Sequence, residues 1–333
     1  MTAATSTPGE IASTTTMRAA AIVRAQNARA STALRPDPAP NEVRIKIEGC
    51  GVCASSIPVW EGRDWFTYPR EYGAPGHEGW GVVDAVGSNV TSVCVGERVA
   101  ALSYHAFAEY DIAPAEAVVR IPDALATSEV PAEPLGCAMN ILARSEIVPG
   151  HTVAIVGIGF LGALLTRLAT HAGARVIAIS RRPFALDVAR SFGADAQVAM
   201  DDHQIVIDRV KALTGGEGCD RVIEAVGMQW PLDLAGELTR ERGRLIIAGF
   251  HQDGPRVVNM FLWNWRGLDV VNAHERDARV YVEGIRQALN AMASGVFDPA
   301  PLLTHRYSLD ELDAAFAATR DRPDGFMKAL VMA

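Results

Sequence analysis

The chain of 333 residues contains no apolar run long enough to cross a bilayer, which sets aside a transmembrane anchor. It also lacks a long basic run and carries a formal net charge of -8, so a broad electrostatic footprint for nucleic acid is missing. Cysteine is sparse and odd in number: Cys50, Cys53, Cys94, Cys137 and Cys219. Five thiols do not make a disulfide framework and are expected in a reducing, cytoplasmic compartment. Residues 1–16 have neither the basic start and apolar stretch of a signal peptide nor the arginines of a transit peptide. They are expected to form a loose tail, with the folded chain starting near Met17. Disorder is excluded for the remainder, since hydrophobic residues reach 49% and charged residues only 21%. That length and composition allow two domains, each with its own core.

The character of the chain changes twice. From residue 17 to about 125, short β-branched runs such as Val43–Ile47, Gly81–Val83, Arg98–Leu102 and Ala117–Ile121 alternate with Gly, Pro and Asn. This spacing predicts a mostly β, partly closed barrel. From about 135 to 272, six apolar runs (Val153–Val156, Val176–Ile179, Gln197–Met200, Val222–Val226, Leu245–Ala248, Val270–Val271) alternate with helix-period segments. Those segments are Phe160–His171, Phe184–Phe192, Gln204–Leu213 and Leu232–Thr239. The alternation predicts a parallel α/β sheet covered on both faces, the doubly wound dinucleotide (Rossmann) fold. The end of the chain adds two amphipathic helices, about Val280–Ser294 and Leu309–Thr319. A strand at Lys328–Met332 is expected to return to the first domain. The expected division is therefore 17–134 with 273–333, and 135–272.

A cofactor motif sits at the first of the six strands. Gly157-Ile-Gly159-Phe160-Leu161-Gly162 follows a strand and opens a helix. Gly157 makes the turn, Gly159 lets backbone approach a pyrophosphate, and Gly162 allows close helix–strand packing, with the helix N-terminus facing the phosphates. Val226 closes another expected cofactor-lining segment at the fourth strand. The second strand ends Ser180-Arg181-Arg182, without the carboxylate that would hold the ribose hydroxyls of NAD. The two guanidiniums suit a 2′-phosphate, so NADP(H) is expected over NAD(H).

Three polar pieces complete the reading: Gly49-Cys50-Gly-Val-Cys53-Ala-Ser55, Pro75-Gly-His77-Glu78-Gly79 and Ala132-Glu133-Pro-Leu-Gly-Cys137. Thiolate, imidazole and carboxylate are the ligand types of a catalytic zinc with one open position. Each piece alone also has a plain structural explanation, since a lone buried Cys is usually a small hydrophobe.

In order, these pieces and the glycine motif resemble the zinc-containing medium-chain alcohol dehydrogenases, particularly the polyol or sorbitol dehydrogenase branch. The resemblance runs from about Met17 onward and includes Val95–Val99, Phe107–Tyr110, Val222–Gly227 and Phe326–Val331. It implies a GroES-like catalytic domain around the Rossmann domain and an enzyme interconverting an alcohol or polyol and its carbonyl partner. By the same resemblance Cys53 and His77 are zinc ligands, Glu133 the third, and Glu78 or Cys137 its alternatives. Zinc would polarise the substrate oxygen, Ser55 would start the proton relay, and hydride would pass to the nicotinamide. A small-molecule substrate and a homodimer or homotetramer are implied, joined near Asp269–Asn272.

The sequence also departs from the family pattern. Ser56 replaces the Asp that supports the zinc-bound His, and Pro58 replaces the His at the outer end of the relay. Between His77 and Glu133 only Cys94 occurs, so the structural-zinc lobe is missing and one metal per chain is expected. An aromatic stretch, Trp60 to Tyr68, follows the metal Cys and suits packing or a pocket wall. Trp263 and Trp265 are weaker candidates for the nicotinamide end. Two other readings stay open: a metal-free NADPH-dependent quinone or enone reductase of the same superfamily, and a non-catalytic dinucleotide-binding protein.

Overall fold

The computed structural model describes residues 15–333; the expected tail lies, but for its last two residues, outside them. The described chain opens on a hairpin of β1 (Thr16–Arg24) and β2 (Asn27–Leu34). Its alanine-rich strands carry little β signal, and the sequence runs named above pass over them. β3 (Glu42–Gly51), α1 (Ile57–Glu61), β4 (Glu78–Val86), β5 (Arg98–Ala101), β6 (Tyr110–Pro114) and β7 (Val118–Arg120) follow. α2 (Ala132–Ser145) leads into the second region, so the expected boundary at 134/135 falls inside a helix.

The second region runs β8 (Thr152–Val156), α3 (Phe160–His171), β9 (Arg175–Ser180), α4 (Pro183–Ser191), β10 (Ala196–Ala199), α5 (His203–Leu213) and β11 (Cys219–Glu224). It continues with α6 (Gln229–Leu238), β12 (Thr239–Ile247), α7 (Met260–Arg266) and β13 (Asp269–Asn272). All six strands are parallel, in the order β10-β9-β8-β11-β12-β13. That is the 3-2-1-4-5-6 order of a doubly wound sheet, whose ligand crevice opens beyond the carboxyl ends of the strands where the order reverses. Here the reversal lies between β8 and β11. The strands read as near-continuous apolar runs because helices cover both faces: Val153–Val156 and Val176–Ile179 are fully buried.

The chain then returns through α8 (Ala278–Ala293), β14 (His305–Ser308), α9 (Leu312–Asp321) and β15 (Ala329–Met332). β15 pairs antiparallel with β3, and the first-region sheet has the order β14-β15-β3-β4-β5-β7, with β6 also on β3. This return puts the end of the chain beside the loop after β3, where Cys53 lies. One apolar cluster joins the regions, with Trp80, Leu135, Ile155, Leu164, Ile285 and Leu330 in continuous contact.

The aromatic stretch mostly packs. Trp60 is buried and stacks on Phe316 at 5.7 Å, and Tyr68 donates its hydroxyl to the Val59 carbonyl, while Trp65 stays 61% exposed. The segment before β13 forms α7. Its Trp263 is half-buried against α6, close to Gly236, and Trp265 faces outward, stacked on Phe261.

Candidate functional site

The crevice beyond β8 is shaped by three glycines. Gly157 has φ +101°, and a Cβ there would lie 2.4 Å from Val226 Cγ2. A Cβ on Gly162 would lie 2.1 Å from the Gly157 carbonyl oxygen, so α3 can approach its strand only without a side chain. Gly159, the N-cap of α3, faces open space: a Cβ there would meet nothing within 4 Å. Phe160 is buried and Leu161 half-buried at the start of the helix. Val226 is fixed by Glu224 at the end of β11, whose buried carboxylate accepts from the Val226 and Gly227 amides at 2.7 and 2.8 Å and pairs with His251.

The basic pair after β9 divides. The Arg182 guanidinium donates to the Phe326 carbonyl at 2.5 Å and to the Ile158 carbonyl, inside the glycine turn, at 3.2 Å. Those carbonyls have it tie the end of β9 to the glycine turn and to the returning chain, which engages one of the two guanidiniums expected for a phosphate. Arg181 is exposed and, among the described residues, makes no side-chain hydrogen bond. Burial depresses both Arg182 and Arg322, the latter ending α9 four residues before Phe326; Arg322 adds to the effect on Arg182, and Arg181 to that on Arg322. The sequence reading missed Arg322, because only the docking of the 322–326 turn brings it here.

Across the crevice lies a group of metal-type donors. The thiol of Cys53, a ring nitrogen of His77 and a carboxylate oxygen of Glu78 all lie within 4.8 Å of one another. Among the described residues this is the one such group. Cys53 precedes the short turn into α1, and Glu78 opens β4 with His77 just before it; β4 pairs with β3, so neighbouring strands bring both halves together. His77 Nδ1 is 2.8 Å from the Pro75 carbonyl, which has no hydrogen to give. Nδ1 therefore donates, which leaves Nε2 as the nitrogen that a metal would take by displacing its proton. The Pro75 carbonyl thus takes the place of the missing carboxylate, while Ser56 Oγ is buried without a partner. Ser55 Oγ donates to Cys53 Sγ at 3.1 Å, which puts the hydroxyl in this pocket. Pro58 is buried in α1.

Glu133 and Cys137 are not within the 4.8 Å group; the expected third ligand is turned towards Tyr281 instead, and Glu78 stands in the group. Glu78 is fully buried against Lys328, whose Nζ lies 2.5 Å from Oε2. Burial alone would drive this ammonium's pKa down, but Glu78, Cys53 and Glu133 hold it up. Lys328 Nζ also sits 5.2 Å from the centre of the Phe160 ring, linking the pocket to the start of α3. A lone cation in the apolar run Phe326–Val331 was a legible signal, though the sequence reading gave it no role. Tyr104, stacked 6.4 Å from His77 at 14°, is a further pocket neighbour that the sequence left unmarked.

The electrostatics suit a cation. Burial opposes a charge on His77, yet its hydrogen bond to Cys53 and the nearby Cys53, Glu133 and Glu78 raise it to about 10. Burial pushes the Glu133 carboxyl up, as it does the Cys137 thiol, with Glu133 adding to the latter. Four acidic donors (Cys53, Glu78, Glu133 and Cys137) thus converge on a pocket whose bases are His77 and Lys328. A set of sulfur, imidazole and carboxylate donors of this kind fits zinc.

Known proteins resemble the chain over both of its regions. Residues 39–123 match the alcohol dehydrogenase GroES-like domain, and residues 161–294 match the zinc-binding dehydrogenase domain. The L-threonine 3-dehydrogenase of Bacillus velezensis is 28% identical over 90% of this chain and 95% of its own. The sorbitol dehydrogenase of Bacillus subtilis is 27% identical over 95% and 97%. A Sinorhizobium meliloti protein described as a zinc-binding dehydrogenase, solved with NADP bound, superposes with a TM-score of 0.83 at 26% identity. That match covers 96% of this chain and all of that one.

Proposed function

From its membership of the zinc-dependent medium-chain alcohol dehydrogenase superfamily, we propose that this NAD(P)-dependent dehydrogenase interconverts an alcohol or polyol and its ketone or aldehyde. Cys53, His77 and Glu78 would hold one zinc ion. The observation that carries this reading is their convergence within 4.8 Å beside the glycine-lined crevice. When bound, the ion would supply Lewis acidity towards a substrate oxygen.

The chain's own residues do the rest. Ser55, its hydroxyl held at Cys53, starts the proton relay: it takes the proton of the substrate hydroxyl as it releases its own to solvent water. Lys328 holds the Glu78 carboxylate in place. The Gly157–Gly162 turn and the N-terminus of α3 bind the cofactor's pyrophosphate, and the Glu224-braced turn at Val226 shapes the crevice beyond β11. A nicotinamide held there would supply the hydride acceptor. NADP(H) is the preferred cofactor, a choice supported by Arg181 and by the absence of a carboxylate at the end of β9.

A cytoplasmic setting suits the thiols. We also propose a homo-oligomer joined at β13, the unpaired edge of its sheet. Val270 on the strand and the stacked Phe261 and Trp265 of α7 are exposed there, the last two 78% and 76%. Light scattering that returns a monomer at micromolar concentration would overturn the oligomer.

The test of function is metal content in protein purified without added metal, followed by a screen of alcohols and ketones with NADPH and NADH. About one zinc per chain with turnover supports the proposal. NADPH binding and enone reduction without zinc would favour the metal-free reductase, and cofactor binding without turnover a non-catalytic protein.

A further inference from the structure

Glu133 and Cys137, which compete in the sequence for the third metal position, share a single partner. The Tyr281 hydroxyl donates to Glu133 Oε1 and lies 2.5 Å from Cys137 Sγ. The Cys137 thiol also reaches Glu133 Oε1 at 3.7 Å, so phenol, carboxylate and thiol form one hydrogen-bonded cluster.

The helix packing fixes this arrangement. Residues 133 and 137 are one turn apart on α2 and share a face, while Tyr281 comes from the first turn of α8. The two backbones approach through glycine: a Cβ on Gly136 would lie 2.7 Å from Ile285 Cγ1, and one on Gly284 would lie 2.6 Å from Asn140 Oδ1. Each glycine is three residues beyond one of the partners, Glu133 or Tyr281. The close approach therefore sets where the phenol lands.

A pocket with five potential donors, Cys53, His77, Glu78, Glu133 and Cys137, has too many for its task. Four protein ligands close a zinc site, as in structural zinc, whereas catalysis needs a position left for substrate. We propose that Tyr281 is a positioning residue that holds Glu133 and Cys137 back from the metal, keeping one coordination position open. The inference rests on the zinc reading above and adds the residue that keeps the site from closing.

Cobalt(II) alone is the probe, added to the metal-free full-length protein, because thiolate-to-cobalt charge transfer counts sulfur ligands and the ligand-field bands report coordination number. In the native protein one thiolate is expected. Cys137→Ser and Glu133→Gln should each leave that spectrum unchanged. Tyr281→Phe keeps the ring that fills the space but frees both groups. It should either about double the charge-transfer intensity, reversed by adding Cys137→Ser, or shift the ligand-field bands, reversed by adding Glu133→Gln. Cobalt should also leave this variant more slowly. Identical spectra for the native protein and Tyr281→Phe would overturn the proposal, as would a changed spectrum in either single variant. Failure of the native protein to take up cobalt would defeat the zinc reading itself, and the proposal with it.

Discussion

The two walls of the crevice are built in opposite ways. On the cofactor side, function comes from backbone: one contiguous stretch, Gly157 to Gly162, makes the turn, the close packing and the helix N-terminus. On the proposed metal side it would come from side chains gathered from three distant segments, around residues 53, 77 and 328. The first wall needs the absence of side chains, and its tolerance is set by steric contact. The second needs charges in a buried place, and its tolerance is set by how they balance. A change on one side should therefore fail by a mechanism foreign to the other.

The largest effect is expected from the metal side. Cys53→Ala and His77→Ala should each remove the zinc and lower kcat by about a thousandfold, since a Lewis acid contributes several kcal/mol. NADPH affinity, followed by its fluorescence, should hold; its collapse in these variants would break the distinction between the walls. Next comes Lys328→Met, which strands the buried Glu78 carboxylate and should cost about 3 kcal/mol of stability. Because a bound ion partly replaces the lost ammonium, the fall in Tm should be greater for metal-free than for metal-loaded protein, as calorimetry can read. Gly162→Ala forces a methyl into the Gly157 carbonyl and should cost about 2 kcal/mol, with cofactor binding lost and zinc retained. The smallest effect is expected from Arg181→Ala: about tenfold weaker NADPH binding with NADH unchanged, measured by titration. Arg182→Ala should instead lower Tm without changing the preference between the cofactors, because its partners are carbonyls of the protein itself.

The same contrast explains what could be read in advance. The doubly wound sheet was legible because buried parallel strands are written as apolar runs and its glycine turn is local. The hairpin of β1 and β2 was not, since alanine carries no strong strand preference. In the pocket, Cys53, His77 and Glu78 could be named from residue type and order, but the choice between Glu78 and Glu133 depends on Tyr281, 148 residues away on another helix. The Arg pair after β9 looked uniform in sequence, and only the turn at Phe326 divides it. Likewise Ser56 suggested an unsupported imidazole, while the Pro75 carbonyl, a group every residue has, supplies the support.

The pairing of Lys328 with Glu78 also has a consequence in time. The partners are separated by 250 residues. At about 5–20 residues per second, synthesis takes roughly 12–50 s to pass from one to the other. Throughout that interval the whole cofactor sheet emerges and can fold, while the carboxylate of the first region has no ammonium to meet and β3 lacks its neighbour β15. The nascent first region is therefore an open sheet edge waiting for the end of its own chain, and during translation the order of assembly is cofactor domain first, metal pocket last.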